Sequence, residues 1–239
     1  MSEPGEEGSS SGSGTESLLE IIIPEGNIIL VVGPQELRVQ VSSHLLCLAS
    51  PVFDAMLNSN FAEGTKLRES GGEPVEIVLP EDNGRAVLHA LKTLYGADPA
   101  MLQLKPKEIQ ELAFMADKYD MASRFALAGT AWTSFVPKNA EDCWNLMTAA
   151  YWLGLHTGFH NLSRVFISKM EHNDVFRLAN ETPDETLGLK LGILLLRRAE
   201  VQNLPRPVGG LCLNCFCKAK DDALGMEPDC PFQENHYVE

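Results

Sequence analysis

Basic residues are scarce in this chain: 19 Lys and Arg stand against 33 Asp and Glu, a net charge of −14 over 239 residues. Neutralising nucleic-acid phosphates requires clustered Lys and Arg, so neither DNA nor RNA is an expected partner. The same deficit argues against docking on an anionic membrane surface. Long apolar runs are missing as well. Stretches such as Ile28–Val32 and Ile193–Leu196 fall far short of the roughly 18 residues that a membrane span requires. The first fourteen residues hold no basic stretch and no apolar segment, so no secretory signal is expected and the cytoplasm or nucleus is the expected location. In those compartments the six cysteines are expected to be thiols or metal ligands rather than disulfides. Catalytic signatures are also lacking: there is no Gly-x-Ser-x-Gly elbow, no phosphate-cradling glycine loop and no His-Glu-x-x-His. No solenoid or propeller period repeats along the chain. What remains is an ordinary globular composition, 44% hydrophobic and 22% charged, long enough to bury a substantial core.

Composition shifts divide the chain. Residues 1–24 open with an acidic Gly/Ser-rich stretch carrying Glu3, Glu6, Glu7, Glu16 and Glu20, and are expected to be a disordered tail. A second shift falls at Pro205-Arg206-Pro207-Val208-Gly209-Gly210, and four of the six cysteines lie beyond it in a tail over 206–239.

Between these limits strands come first. Asn27–Val32 is a β-branched run closed by Gly33-Pro34, and Leu37, Val39 and Val41 follow at period two, a hairpin signal. Ser42-Ser43 can cap a helix through Leu48, and Ser50-Pro51 starts another with Ser at the cap and Pro at the first helical position. Pro74–Leu79 reads as a strand. Asp82 is expected to cap a helix through Val87, Leu91 and Tyr95 that Gly96 stops, and Pro106 opens the next. Helices alone follow. Asn139 with Asp142 looks like a capping box, Phe159, Leu162, Phe166 and Met170 form an amphipathic stripe, and Thr182-Pro183-Asp184-Glu185 reads as a start with Thr182 at the cap. Trp132, Trp144 and Trp152 are expected to be core anchors, Cys143 a small core hydrophobe, and His44 with Cys47 boundary residues rather than a base–nucleophile pair.

A set of motifs keeps its order and spacing over residues 25–125: Asn27–Val32, Leu37-Arg38-Val39, Ala49-Ser50-Pro51-Val52-Phe53, Met56-Leu57, Phe61-Ala62-Glu63-Gly64, Ile77-Val78-Leu79-Pro80-Glu81-Asp82, Leu91–Gly96 and Leu112–Asp120. Together these resemble a BTB/POZ domain in the short form common in fungi. The resemblance implies an α+β fold, a small mixed sheet with flanking helical hairpins, followed here by an all-α region over 126–205. It implies binding through surfaces, not catalysis, so the chain is expected to be a non-catalytic scaffold or adaptor. Two positions depart from the family pattern: Asn27 stands where Asp is frequent, and Ser42 where His is frequent. Family members that dimerise by swapping carry a helix before the first strand. Only Glu16–Ile23 is available for one, cut off by Pro24, so a swapped homodimer is not expected.

Members of the family that serve cullin ubiquitin ligases carry an apolar residue, any residue, then Glu after the Ser-Pro helix. Phe61-Ala62-Glu63 fits, with Leu57 a turn earlier, so Leu57, Phe61 and Glu63 are the candidate partner-binding residues and a cullin the candidate partner. The residues alone also allow Phe61 to be core and Glu63 a solvated charge. The Cys212-Leu213-Asn214-Cys215 spacing suits a metal, and Cys230 and His236 complete a candidate tetrahedral zinc set with Cys217 as a spare. A tail of reduced or redox-sensitive thiols is the alternative.

Overall fold

A computed structural model describes residues 19–96, 98–171, 173–201, 209–219 and 230–231. Its sheet is built around the β-branched run that the sequence marks. Strand β2 (Ile28–Val32) pairs antiparallel with β3 (Leu37–Val41) and parallel with β4 (Val75–Leu79). Ile28, Leu30 and Val32 point to one face, opposite Val41, Val39 and Leu37 on one side and Val75, Ile77 and Leu79 on the other. Period-two alternation puts this set into the core and leaves Glu76 and Val78 exposed.

The sheet has a fourth strand that the sequence reading does not anticipate. β1 (Leu19–Ile21) lies parallel to β3 at the sheet edge, giving the order β1-β3-β2-β4. Residues 19–24 are therefore not part of a disordered tail; residues 1–18 lie outside the described residues. Three residues are too short to show a period, and what recruits them is the free edge of β3, with Gln40 carbonyl accepting from Ile22 N–H at 3.0 Å.

Helices cover the sheet and then continue without it. Among the described residues they are α1 (Ser43–Ala49), α2 (Pro51–Asn58), α3 (Ala62–Glu69), α4 (Gly84–Tyr95), α5 (Pro106–Lys118), α6 (Ala126–Thr133), α7 (Ala140–Trp152), α8 (His156–Lys169), α9 (Val175–Asn180), α10 (Glu185–Val201) and α11 (Leu213–Lys218). The chain is thus α+β, a small mixed sheet followed by helices alone. Among the described residues no helix is long and apolar enough to cross a membrane.

Three caps differ from the sequence expectation: at α1 a distant residue does the capping, and at α4 and α10 a tertiary partner claims the expected side chain. Ser42 sits at the cap of α1 but makes no side-chain bond; Asn27 accepts from Ser43 N–H at 2.8 Å and donates to Ser43 Oγ at 2.9 Å instead. At α4 the cap is Asn83, which accepts from Arg85 and Ala86 N–H, while Asp82 is buried against Lys118 Nζ and Tyr119 Oη at 2.8 Å each. At α10 Asp184 accepts from Leu187 N–H at 3.0 Å, and Thr182 is drawn inward to bond Trp144 Nε1 at 2.9 Å. Ser50 and Pro106 act as expected, Ser50 accepting from Phe53 N–H and Pro106 taking the first position of α5. Asn139 caps α7 by accepting from Asp142 N–H, and the Asp142 carboxylate accepts from the Asn139 side-chain amide at 3.3 Å.

The apolar core is continuous from Ile28 in the sheet to Phe216 in α11. No packing boundary marks residue 125, because α5 lies against α7 with Gln110 Nε2 donating to Thr148 Oγ1 at 2.8 Å and Phe114 edge-on to Trp152. Trp132, Trp144 and Trp152 are all buried core anchors.

Candidate functional sites: a surface groove and a thiol triad

Two places collect the sequence candidates. The first is where α2 meets α3. Ser50 Oγ accepts from Phe53 N–H and donates to the Tyr119 carbonyl at 2.6 Å, and the Phe53 and Tyr119 rings stack at 4.4 Å. Tyr119 in turn donates to Asp82, and burial with this bond holds its phenol protonated well above the ordinary tyrosine range. Motif pieces from three distant stretches thereby meet in one buried knot, and it fixes the angle of α2.

Gly64 then decides where α3 lies. A Cβ there would stand 2.6 Å from the Leu57 carbonyl oxygen and 2.7 Å from that of Ser59, so only glycine lets α3 start this close to the end of α2. Arg68 closes the turn by donating to the Ser59 carbonyl at 3.0 Å. The result brings Phe61 to the surface at 60% exposure, just ahead of the first turn of α3 that carries Glu63. Both border a shallow groove of about 580 Å³ lined by Pro51, Val52, Met56 and Asp120. Phe61 is thus not core. Leu57 is: at 2% exposure it belongs to the core and is not part of the groove's lining. Helical spacing places Leu57 a turn from Phe61, but the helix ends at Asn58, and Phe61 stands outside both helices at the start of α3, exposed.

Val52, 38% exposed, also lines the groove, though the sequence reading uses it only as part of the Ser-Pro motif. Its signal was its place directly after Pro51 on the outer turn of α2.

The second place is the thiol triad. Cys212, Cys215 and Cys230 are buried, and their Sγ atoms lie within 4.8 Å of one another. Cys212 and Cys230 Sγ are 3.7 Å apart, and Asn214 Nδ2 approaches Cys230 Sγ at 3.2 Å. The first two cysteines share a face because Cys212 precedes α11 and Cys215 lies within it, three residues on. Four thiolates at about 2.3 Å around a tetrahedral ion stand roughly 3.8 Å apart, which the Cys212–Cys230 separation of 3.7 Å matches. The triad can hold a metal ion. Burial pushes the Cys212 thiol up to about 11. Cys217 is exposed and stands outside the triad, and His236 lies outside the described residues.

The remaining candidates are quiet. His44 is exposed, and burial raises the Cys47 thiol, which reduces its reactive thiolate fraction. Cys143 is buried, donates to the Leu162 carbonyl and is pushed up to about 12, as a core residue would be. The chain matches no protein-family model and no curated protein.

Proposed function

We propose that the chain is a protein–protein interaction module of the BTB type, a non-catalytic adaptor that engages its partner at the groove between α2 and α3. The observation that carries this reading is Phe61. A large aromatic side chain is 60% exposed at a mainly apolar groove that Val52 and Met56 also line, with the carboxylates of Glu63 and Asp120 in the same lining. An exposed aromatic anchor over a groove with a charged rim is the composition of a binding hot spot, in which the ring supplies affinity and the carboxylates set register and on-rate. The knot of Ser50, Phe53, Asp82 and Tyr119 supports the BTB assignment, because it unites the motif pieces on which the resemblance rests.

A cullin is the partner that the Phe61-Ala62-Glu63 pattern favours, and the chain is then a substrate adaptor of a cullin ubiquitin ligase. Co-purification with a cullin N-terminal region tests this. Retention should fall on the order of a hundredfold for Phe61→Ala combined with Glu63→Ala, while thermal stability stays unchanged because Phe61 packs into no core. Unchanged retention removes both residues from the contact.

The triad favours a second reading, in which zinc staples the C-terminal segment of a regulatory protein. Three buried thiols suit zinc, with the fourth position filled by solvent or by a further side chain such as His236. Protein purified without added zinc should carry close to one zinc per chain, and less than ~0.2 per chain would remove the reading, because structural zinc is held tightly. Cobalt(II) in its place should give the absorption bands of a tetrahedral thiolate site.

A further inference from the structure

We infer that metal occupancy of the Cys212–Cys215–Cys230 triad governs whether residues 209–219 stay docked over α7, α8 and α10. The inference rests on the zinc reading and adds to it a regulatory consequence.

Helix α11 has six residues, too few to persist without tertiary support. It is held from two sides. On the body side Leu211, Leu213 and Phe216 join the main core, and the Phe216 ring seats between Tyr151 at 5.7 Å and Phe159 at 5.3 Å. Lys190 on α10 donates to the carbonyls of Phe216 and Ala219 at 2.6 and 3.0 Å, satisfying acceptors that the end of a helix leaves open. Leu211 N–H donates to Ser163 Oγ on α8 at 2.7 Å. Gly210 passes so near α8 that a Cβ would stand 2.0 Å from the His160 carbonyl oxygen, so the approach is built for this chain path.

On the other side the thiols form an apolar cluster separate from the main core. Cys230 comes from well beyond α11 and closes on Cys212 and Asn214. The three sulfurs lie within 4.8 Å of one another, close enough for one ion to reach them all. A divalent zinc ion replaces their protons, each sulfur releasing one to solvent as it bonds the metal, and the three then share rigid bonds. Those bonds require Cys212 and Cys215 in their present relation, which α11 provides. A ligand that binds only this arrangement stabilises it by mass action. The docked segment and the filled site therefore form together, and loss of metal loosens the cover over Tyr151 and Phe159.

Hydrogen exchange on the full chain tests the coupling, with zinc, after removal of zinc by a chelator, and after zinc is returned. Chelation should speed exchange on the order of tenfold in residues 151–163 and 211–218, returning zinc should restore it, and amides of β2 and β3 should stay protected. Cys230→Ser should lose zinc and match the chelated protein; Cys217→Ser, outside the triad, should keep both zinc and protection. Bound zinc whose removal leaves exchange at 151–163 unchanged overturns the coupling while the zinc reading stands. Loss of protection in the sheet as well also overturns it, since the metal would then support the whole fold. Absence of zinc from the purified protein ends both. Should Cys230→Ser fail to fold, chelation of the unaltered chain decides.

Discussion

Asn27 caps α1 from sixteen residues upstream, taking the place that Ser42 occupies but does not use. Its amide oxygen receives the Ser43 N–H, one of the donors left open at a helix start. Asn27→Ala should lower stability by about 1 kcal/mol, read as a shifted urea midpoint. Asn27→Asp should retain the acceptor and most of that stability; a midpoint left unmoved by Asn27→Ala would show that the cap is idle. A second residue-scale expectation concerns pH. Burial first, and Arg164 second, hold His160 below its ordinary value of 6.5, so neutral imidazole is the folded form. The unfolded chain then binds the proton more readily, so this contribution is present above about pH 6.5 and is lost as pH falls through the folded value. His160→Gln should flatten part of the acid limb of a stability–pH curve. His89, lowered for the same reason, keeps the remainder, and an unaltered limb would show that His160 titrates freely.

At the scale of elements, α3 is a consequence of Gly64. Gly64→Ala places a methyl carbon 2.6 Å from the Leu57 carbonyl oxygen, which only a shift of α3 relieves. The cost should be about 1–3 kcal/mol, and because Phe61 precedes the first turn of α3, partner capture should fall with it. Stability and capture that both survive Gly64→Ala would separate the groove from this contact. Most elements were legible beforehand. The hairpin, β4, α4, α5, α7 and α8 each carry a strong period and local punctuation, and these are short-range properties. β1 was not legible, because three residues have no period and their strand state comes from the open edge of β3. The caps at Asp82 and Thr182 misled for a related reason. Both are good capping residues locally, but Tyr119 with Lys118 and Trp144 offer them buried partners, and a buried polar group must be satisfied.

For the whole molecule the continuous core joins what composition divides. A fragment ending at Phe125 would strip α7 from α5, leaving Gln110 without Thr148 and Phe114 without Trp152. Such a fragment should melt lower and less cooperatively than the full chain and bind hydrophobic dyes; a fragment that melts like the full chain would show two independent domains. The candidate sites divide in the same way. Residue types and spacing were enough to nominate Cys212, Cys215 and Cys230, because thiols at that spacing declare their chemistry locally, whereas Phe61 and Glu63 were nominated through the BTB/POZ resemblance. Outlook was not readable. Leu57 and Phe61 have the same apolar character, and only the break between α2 and α3 sends one inward and the other to the surface. Likewise Cys215 and Cys217 are alike in sequence, but α11 turns one toward Cys230 and the other to solvent. The sequence by itself determined the α+β class, the strand and helix periods and the excess of acid, all of which follow from local patterning and composition. Only the tertiary structure decided which groups face each other, because burial and partnership depend on residues far apart in the chain.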